Sequence, residues 1–352
     1  MTARMRNYEH DRDFIRVRDF LNRTYTAFAT PLNWGLERWN YARYFVAPML
    51  GSYGTETGAP EGSLNAIRLW EDTARVWEDD EGDIVGVTCI EHPDETHPGF
   101  GEIFVQRHPD HLGLLDEMIA FGEKTYVHPE RNRVHIWVYD DDQDLIDVVR
   151  ARGFERKDEP VSHYLEYTFG ELPELDLPEG FRLFSMAEEN DIERRREIFG
   201  RSFDHEDPKE WPSAFAYREL QRAPDYRKEQ DLVVAAPDGT YVACCIVWYD
   251  AVNQIGHLEP LGTHPDYRKM GLATQIQYEG MRRLKALGAT RMPMTGGFEP
   301  FYRASDSSSA GSSIPGSRSS SPAWAGRRPA RARLRFRHRR SSSGLPPDSL
   351  AP

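Results

Sequence analysis

Cysteine is scarce in this sequence, and a membrane-length apolar run and a zinc-like Cys/His spacing are both absent. The three cysteines, Cys89, Cys244 and Cys245, lie in apolar, strand-like runs and form no disulfide framework. Buried reduced thiols and a cytoplasmic location are therefore expected. No apolar run approaches the roughly 20 residues of a membrane span, and the N-terminus lacks the apolar segment of a secretory signal. Without a zinc-like spacing, no metal is expected.

The negative net charge hides an asymmetry along the chain. The formal charge is -13 over 352 residues. From Ser305 onward there are nine Arg, no Lys and two Asp, a net of +7, so the first 304 residues carry -20. An acidic body of this size argues against a nucleic-acid partner and favours a cationic or neutral substrate.

Two similar units follow each other along the chain. Arg107-His108-Pro109-Asp110 in the first half corresponds to Thr263-His264-Pro265-Asp266 in the second, and the preceding hairpins VWEDDEGDIVGVTCI and LVVAAPDGTYVACCI also match. This pattern predicts an internal duplication of about 150 residues. The predicted organisation is a first copy at 1–169, a Pro- and acid-rich linker at 170–180 and a second copy at 181–304.

Hydrophobic periodicity predicts the same order of elements in both copies. In the first copy it predicts strand 4–9, helices 13–28 and 36–49, a loop at 51–62, strands 74–77, 84–90 and 100–105, helix 112–126, strand 134–139, helix 144–152 and strand 163–169. In the second copy it predicts strand 181–186, helices 191–203 and 214–220, strands 232–235, 241–249 and 257–262, helix 272–287 and strand 291–294. The fold class is thus α/β, with a mostly antiparallel mixed sheet flanked by helices in each copy.

Residues 305–352 change abruptly to Ser, Pro and Arg, and the change interrupts a helix that is expected to start at 300–304 and to match helix 144–152 of the first copy. This composition predicts disorder. The second copy then has no equivalent of Gly153-Phe154 or of the strand that follows them. We interpret the break as truncation or a reading-frame shift near Ala304. Translation of the coding DNA in its other two frames tests the shift, which requires a Gly-Phe followed by strand-like sequence.

The stretch from His257 to Gly288 carries the clearest functional pattern. An apolar strand runs through a loop containing Arg268, Lys269 and Gly271 into a long helix. Unpaired N–H groups at a helix N-terminus and the helix dipole favour an anion, and small residues let a phosphate approach the backbone. The pattern predicts a pyrophosphate site. The first copy passes from His111 to Leu112 without the basic residues, so no such site is expected there.

With these residues the chain resembles the GNAT N-acetyltransferase superfamily, in a tandem arrangement. The acetyl-CoA signature of that family, Q/R-x-x-G-x-G/A after a bulged strand, corresponds to Arg268-Lys269-Met270-Gly271-Leu272-Ala273. The resemblance implies that acetyl-CoA is the co-substrate. Its pantetheine would bind main-chain groups of one strand segment and its pyrophosphate the following loop. The implied cofactor residues are Leu261, Gly262, Thr263, Arg268, Lys269, Met270, Gly271, Leu272, Ala273 and Thr274.

The resemblance also implies direct attack of an acceptor amine on the thioester. Glu259 is the candidate base, with a solvated strand carboxylate as the alternative. Tyr302 is the candidate acid that protonates the leaving thiolate, with a core-packing role as the alternative. The expected partners are acetyl-CoA and a small amine-bearing molecule or peptide, with no membrane. A catalytically impaired acyl-CoA-binding or scaffold protein is the other function left open, and the oligomeric state is undetermined.

Overall fold

A computed structural model describes residues 3–28, 31–52, 60–95, 100–130, 132–156, 162–296 and 331–339. Two copies of one α/β arrangement contribute to a single 13-stranded sheet. Among the described residues, no helix is long and apolar enough to cross a membrane.

The described part of the first copy contains six α-helices and seven strands. Its helices are α1 (His10–Tyr25), α2 (Leu36–Tyr41), α3 (Ala47–Leu50), α4 (Pro60–Thr73), α5 (Leu115–Thr125) and α6 (Gln143–Ala151), with one turn of π-helix joining α2 to α3. Its strands are β1 (Arg4–Asn7), β2 (Arg75–Glu78), β3 (Ile84–Ile90), β4 (Glu102–Arg107), β5 (Arg133–Tyr139), β6 (Glu155–Arg156) and β7 (Ser162–Thr168).

The described part of the second copy repeats the order of strands and helices from β1 to β5 with fewer helices, and one further strand follows it. The helices are α7 (Ile192–Ser202), α8 (Ala214–Leu220) and α9 (Leu272–Ala286). The strands are β8 (Arg182–Ser185), β9 (Asp231–Ala235), β10 (Tyr241–Asp250), β11 (Ile255–Thr263), β12 (Arg291–Gly296) and β13 (Arg331–Arg339). Asp191 caps α7 by accepting a hydrogen bond from the N–H of Arg194, as its position in the sequence predicts.

The sheet shows an exchange of strands between the copies. Its order is β1-β2-β3-β4-β5-β13-β7-β12-β11-β10-β9-β8. Among the described strands, each copy has one parallel pair, which joins its fourth and fifth strands, β4 with β5 and β11 with β12. The position beside β12, for which the sequence of the second copy offers no strand, is occupied by β7 of the first copy. The corresponding position beside β5 is occupied by β13.

Two elements differ from the sequence-based expectation. Helix α4 begins at Pro60, inside the predicted loop 51–62, and proline is well tolerated in the first turn of a helix. The segment 305–352 was predicted to be disordered, but Arg331–Arg339 forms strand β13. The physical reason is the alternation in RARLRFRHR, in which every second residue is arginine, because a period of two suits a strand.

Removing β13 should destabilise the first copy. We expect a chain shortened by residues 331–352 to lose thermal stability, because β13 pairs with β5 from Arg333↔Tyr139 to Arg339↔Arg133. Thermal unfolding followed by circular dichroism measures the effect. A chain shortened only by residues 340–352 keeps β13 and serves as the control. Equal melting temperatures for the two shortened chains would show that β13 adds no stability.

One hydrophobic cluster is shared by the two copies. Leu36, Tyr41 and Phe45 from the first copy pack with buried side chains of the second copy, including Phe199 and Tyr217. The rings of Phe45 and Phe199 meet edge to face with centroids 5.0 Å apart. This packing fixes α2 of the first copy against the second copy, and so brings its charged residues to the site described next.

Candidate active site

Strand β11 is irregular where its counterpart β4 is regular. Cys245 pairs with Leu261 and Val247 with Leu258, so β11 carries one more residue than β10 in this interval. The extra residue lies at Glu259-Pro260, which are joined by a cis peptide bond. In the first copy β3 and β4 pair without interruption from Gly86↔Arg107 to Ile90↔Ile103. The bulged strand implied by the family resemblance therefore occurs in the second copy only.

Among the described residues, β11 and β12 pair only at Ile255↔Arg291. The rest of the edge of β11 toward β12 has no strand partner there, and we call it the open edge. The N–H of His264 bonds to the carbonyl of Val242 on β10. Because successive residues of an antiparallel pair face alternate sides, the main-chain groups of Thr263 and Leu261 face the open edge. Among the described residues, the buried hydroxyl of Thr263 has no hydrogen-bond partner.

The same edge is filled in the first copy. Asn33 uses its side-chain amide to accept from the N–H of Arg107 at 3.0 Å and to donate to the carbonyl of Arg107 at 2.7 Å. Arg107 is the residue that corresponds to Thr263 in the duplication. The main-chain N–H of Trp34 also donates to the side chain of the neighbouring Gln106. In the first copy the side-chain amide of Asn33 thus bonds the main-chain groups of Arg107. The corresponding main-chain groups of Thr263 in the second copy face the open edge.

The loop between β11 and α9 has the conformation of an anion site. His264 begins a turn of 3-10 helix, and its Nδ1 accepts from the N–H of Asp266. Lys269 and Gly271 both have left-handed φ angles, 67° and 78°. Gly271 is the N-cap of α9, and a Cβ added there would meet no protein atom within 4 Å. Left-handed residues next to a helix N-terminus point successive N–H groups to one side.

Arg268 is anchored within the protein. Its Nη2 donates to Asp204 at 2.7 Å and to the carbonyl of Ser202 at 3.2 Å, and its Nε lies 3.4 Å from the carbonyl of Thr263. The guanidinium therefore connects the loop to the end of α7. A phosphate bound here would have to compete with the carboxylate of Asp204 for it.

Glu259 lines a cavity of about 480 Å³ at the boundary of the two copies. Arg38, on α2 of the first copy, forms ion pairs with both Glu259 and Glu91. The sequence singles out Glu259, but it contains no local signal for Arg38, which lies 221 residues earlier in the chain. Glu259 is thus a paired carboxylate and not a freely solvated one.

A second carboxylate faces the same cavity. Glu37 Oε2 lies 3.0 Å from Nδ1 of His257, a residue of β11 that also lines the cavity. Burial, with the nearby charge of Glu259, raises the pKa of Glu37 to about 8. Burial lowers the pKa of His257 to about 3. Sequence reasoning missed both residues, since neither lies in a recognisable motif.

The candidate acid Tyr302 lies outside the described residues. Three other tyrosines, Tyr25, Tyr41 and Tyr139, line the cavity. Burial raises the pKa of Tyr41 well above its usual value, so its hydroxyl is neutral at physiological pH. The structure brings Glu259 close to the open edge of β11 and to residues of the first copy.

Known proteins resemble this chain in part of its sequence and over most of its fold. Residues 192–304 match the Acetyltransferase (GNAT) family model. No curated protein matches the chain. A tandem GNAT protein from the clavulanic acid biosynthesis pathway is 12% identical, with 96% of this chain and 98% of that one covered and a TM-score of 0.57. A GCN5-related N-acetyltransferase from Sphaerobacter thermophilus is 15% identical, with 85% of this chain and 92% of that one covered and a TM-score of 0.50. An acetyltransferase of the GNAT family from Colwellia psychrerythraea is 9% identical, with 96% of this chain and 99% of that one covered and a TM-score of 0.51. At these identities the likeness to the solved structures is one of fold.

Proposed function

We propose that the second copy, whose residues 192–304 match the Acetyltransferase (GNAT) family model, is an N-acetyltransferase. It transfers an acetyl group from acetyl-CoA to an amine of a small molecule or peptide. The observation that carries the proposal is the open edge of bulged strand β11, followed directly by the loop at the N-terminus of α9. Acetyl-CoA has an extended pantetheine arm next to an anionic pyrophosphate, so it needs an open strand edge next to an anion-binding loop.

The open edge suits the pantetheine arm. Main-chain groups of Leu261 and Thr263 can pair with its amides as a neighbouring strand would, while Gly262 between them turns its main-chain groups toward β10 and offers the arm a face without a side chain. The pyrophosphate then lies at the loop from Arg268 to Thr274, where N–H groups of the first turn have no partner inside the helix. A main-chain N–H of β11 polarises the thioester carbonyl.

One binding site per chain is expected. The edge of β4 is already bonded to Asn33, and the loop after β4 has no Lys or Arg between Asp110 and Leu115. For acetyl-CoA to bind there, it would have to displace Asn33 without gaining a charged contact for its phosphates. The first copy serves instead to shape the acceptor side of the cavity through α2.

The cavity beside Glu259 suits an amine acceptor. It holds the carboxylate of Glu259, with Glu91 linked through Arg38. Carboxylates attract an ammonium group. The amine lone pair attacks the thioester carbon, the C–S bond breaks on collapse of the tetrahedral intermediate, and Glu259 accepts a proton from the nitrogen. Tyr302 is the proposed donor of a proton to the thiolate.

Release of free thiol from acetyl-CoA tests this function. We expect thiol to appear only when an amine is present, in a panel of alkylamines, amino sugars and short peptides. Calorimetry should show one acetyl-CoA bound per chain. Binding without turnover across the panel would favour the alternative, a catalytically impaired acyl-CoA-binding or scaffold protein. Absence of binding would contradict both functions.

A further inference from the structure

Two titratable side chains, one from each copy, meet at the acceptor cavity and take no part in the mechanism above. Glu37 lies on α2, and His257 lies on β11 two residues before Glu259. Oε2 of the carboxyl group and Nδ1 of the imidazole are 3.0 Å apart. The two atoms are close enough for a hydrogen bond but not aligned for one, since Oε2 has no hydrogen-bond partner among the described residues. The other ring nitrogen, Nε2, has none there either. Such contacts in unliganded sites often tighten when substrate binds.

The surroundings of this pair are compact. The ring of Tyr25 meets the imidazole edge to face, with centroids 5.2 Å apart. A Cβ at Gly35 would collide with the Glu37 carboxyl and would lie 2.6 Å from Cε1 of His257. Gly35 has a φ of -80°, which any residue can adopt, so glycine is needed here for space and not for conformation. The chain therefore leaves room for these two groups to touch.

We propose that Glu37 and His257 act as one proton-accepting pair for the acceptor amine, in which His257 Nε2 takes the proton and Glu37 stores it. This inference rests on the proposed acetyl transfer. It makes the first copy a contributor of a catalytic group to the site of the second copy. In this proposal the proton arrives at Nε2 of His257, which is buried and has no hydrogen-bond partner among the described residues. The other ring nitrogen, Nδ1, lies 3.0 Å from Oε2 of Glu37 and exchanges a proton with it.

Proton stoichiometry leaves one proton for an acceptor other than Glu259. An ammonium group carries three protons and the amide product keeps one. One of the two protons lost by nitrogen balances the proton gained by the leaving thiolate, and the other leaves with the solvent. In the proposal, His257 takes the first proton before attack, which frees the amine lone pair. Glu259 takes the second as the C–N bond forms and the C–S bond breaks.

The protonation states of the two groups fit this division. The pKa of Glu37 is raised to about 8 by burial and then by Glu259, with Asp250 acting in the same direction and Arg38 opposing it. The pKa of His257 is lowered to about 3 by burial and by Arg291. A proton taken at Nε2 therefore ends on Glu37, with the imidazole passing its Nδ1 proton across and staying neutral.

The state of Glu37 then sets the pH dependence. Below about pH 8 its carboxyl group is protonated and donates to Nδ1, so Nε2 carries a proton and cannot accept another. Above about pH 8 the carboxylate accepts from Nδ1–H, and Nε2 has a free lone pair. Activity should rise as the pH passes through about 8.

Nitrogen-15 NMR of the imidazole tests the pair in the full chain without any ligand. We expect the proton on the His257 ring to move from Nε2 to Nδ1 near pH 8 in the wild type, and to stay on one nitrogen in Glu37→Gln. One unchanged tautomer in the wild type from pH 6 to 9.5 would overturn the proposal.

Kinetics with the alkylamine acetylated fastest in the panel give the second measurement. Glu37→Gln should lose the rise in kcat near pH 8, and His257→Gln should lower kcat at least about tenfold. Gly35→Ala, which displaces Glu37 without replacing it, should behave as Glu37→Gln, while Gly113→Ala, in open space, is the control. Turnover with an unchanged pH profile in Glu37→Gln would contradict this inference alone. A wild type that neither binds acetyl-CoA nor acetylates any amine would contradict the proposed function.

Discussion

Replacing Asp231 with alanine is expected to destabilise the second copy by about 3–5 kcal/mol, because it leaves the Arg195 guanidinium buried without a counter-charge. Both side chains are fully buried, and Arg195 Nε donates to Asp231 Oδ1 at 2.9 Å. The hydroxyls of Tyr217 and Tyr226 donate to the other carboxylate oxygen. Asp231 thus ties α7 and α8 to the first residue of β9. Chemical denaturation followed by tryptophan fluorescence measures the loss.

Two variants control this experiment. Glu9→Ala breaks an exposed ion pair to Arg12 at 3.3 Å and should change stability by less than about 0.5 kcal/mol. The double replacement Arg195→Met with Asp231→Leu removes both charges together and should recover much of the stability lost in Asp231→Ala. If Asp231→Ala unfolds at the same denaturant concentration as the wild type, the buried pair of Arg195 and Asp231 does not stabilise the contact of α7 and α8 with β9.

Local patterns predicted most of the secondary structure because the elements have clear periods. β10 appears as one apolar run in the sequence and is almost wholly buried in the structure. α4 was missed although Ser63, Ala66, Ile67 and Trp70 repeat at helical spacing, because the loop-like residues before Ser63 overlap its start. β13 was missed because composition was weighed above alternation. In both cases the deciding signal was in the sequence.

The exchange of strands between the copies could not be predicted from the sequence, for a different reason. Nothing in β7 says that it pairs with β12, more than 120 residues later, and not with the strands of its own copy. An antiparallel edge accepts any strand with a compatible pattern of side chains, so the partner is decided by tertiary contacts. The gap beside β12 that the sequence of the second copy predicts is filled by β7 of the first copy.

One part of the candidate site could likewise be predicted from the sequence and the other could not. The loop from Arg268 to Ala273 could be predicted because a helix N-terminus and its approach are contiguous in sequence. The acceptor side could not, because Gly35, Glu37 and Arg38 reach it through the hydrophobic cluster that α2 shares with the second copy. Their partners on β11 lie more than 200 residues away. A duplicated fold can thus conceal a site that both copies build.

Replacing Gly271 with alanine is expected to raise the KM for acetyl-CoA on the order of 100-fold, or about 2.7 kcal/mol. The φ angle of 78° disfavours any Cβ, and the added methyl group would stand where the backbone must approach the pyrophosphate. Because no protein atom lies within 4 Å of that methyl group, the protein itself has room for it. Initial rates of thiol release against acetyl-CoA concentration give the KM.

Gly82→Ala separates ligand exclusion from backbone strain. Gly82 has a φ of 86° and equally open surroundings, but it lies in the hairpin turn of the first copy. Both variants should lose about 1 kcal/mol of stability from the left-handed conformation, while only Gly271→Ala should weaken acetyl-CoA binding. A KM that rises equally in both would trace the effect to general destabilisation. A KM unchanged in Gly271→Ala would mean that the pyrophosphate lies elsewhere, since a phosphate held by these N–H groups has no space for the methyl group.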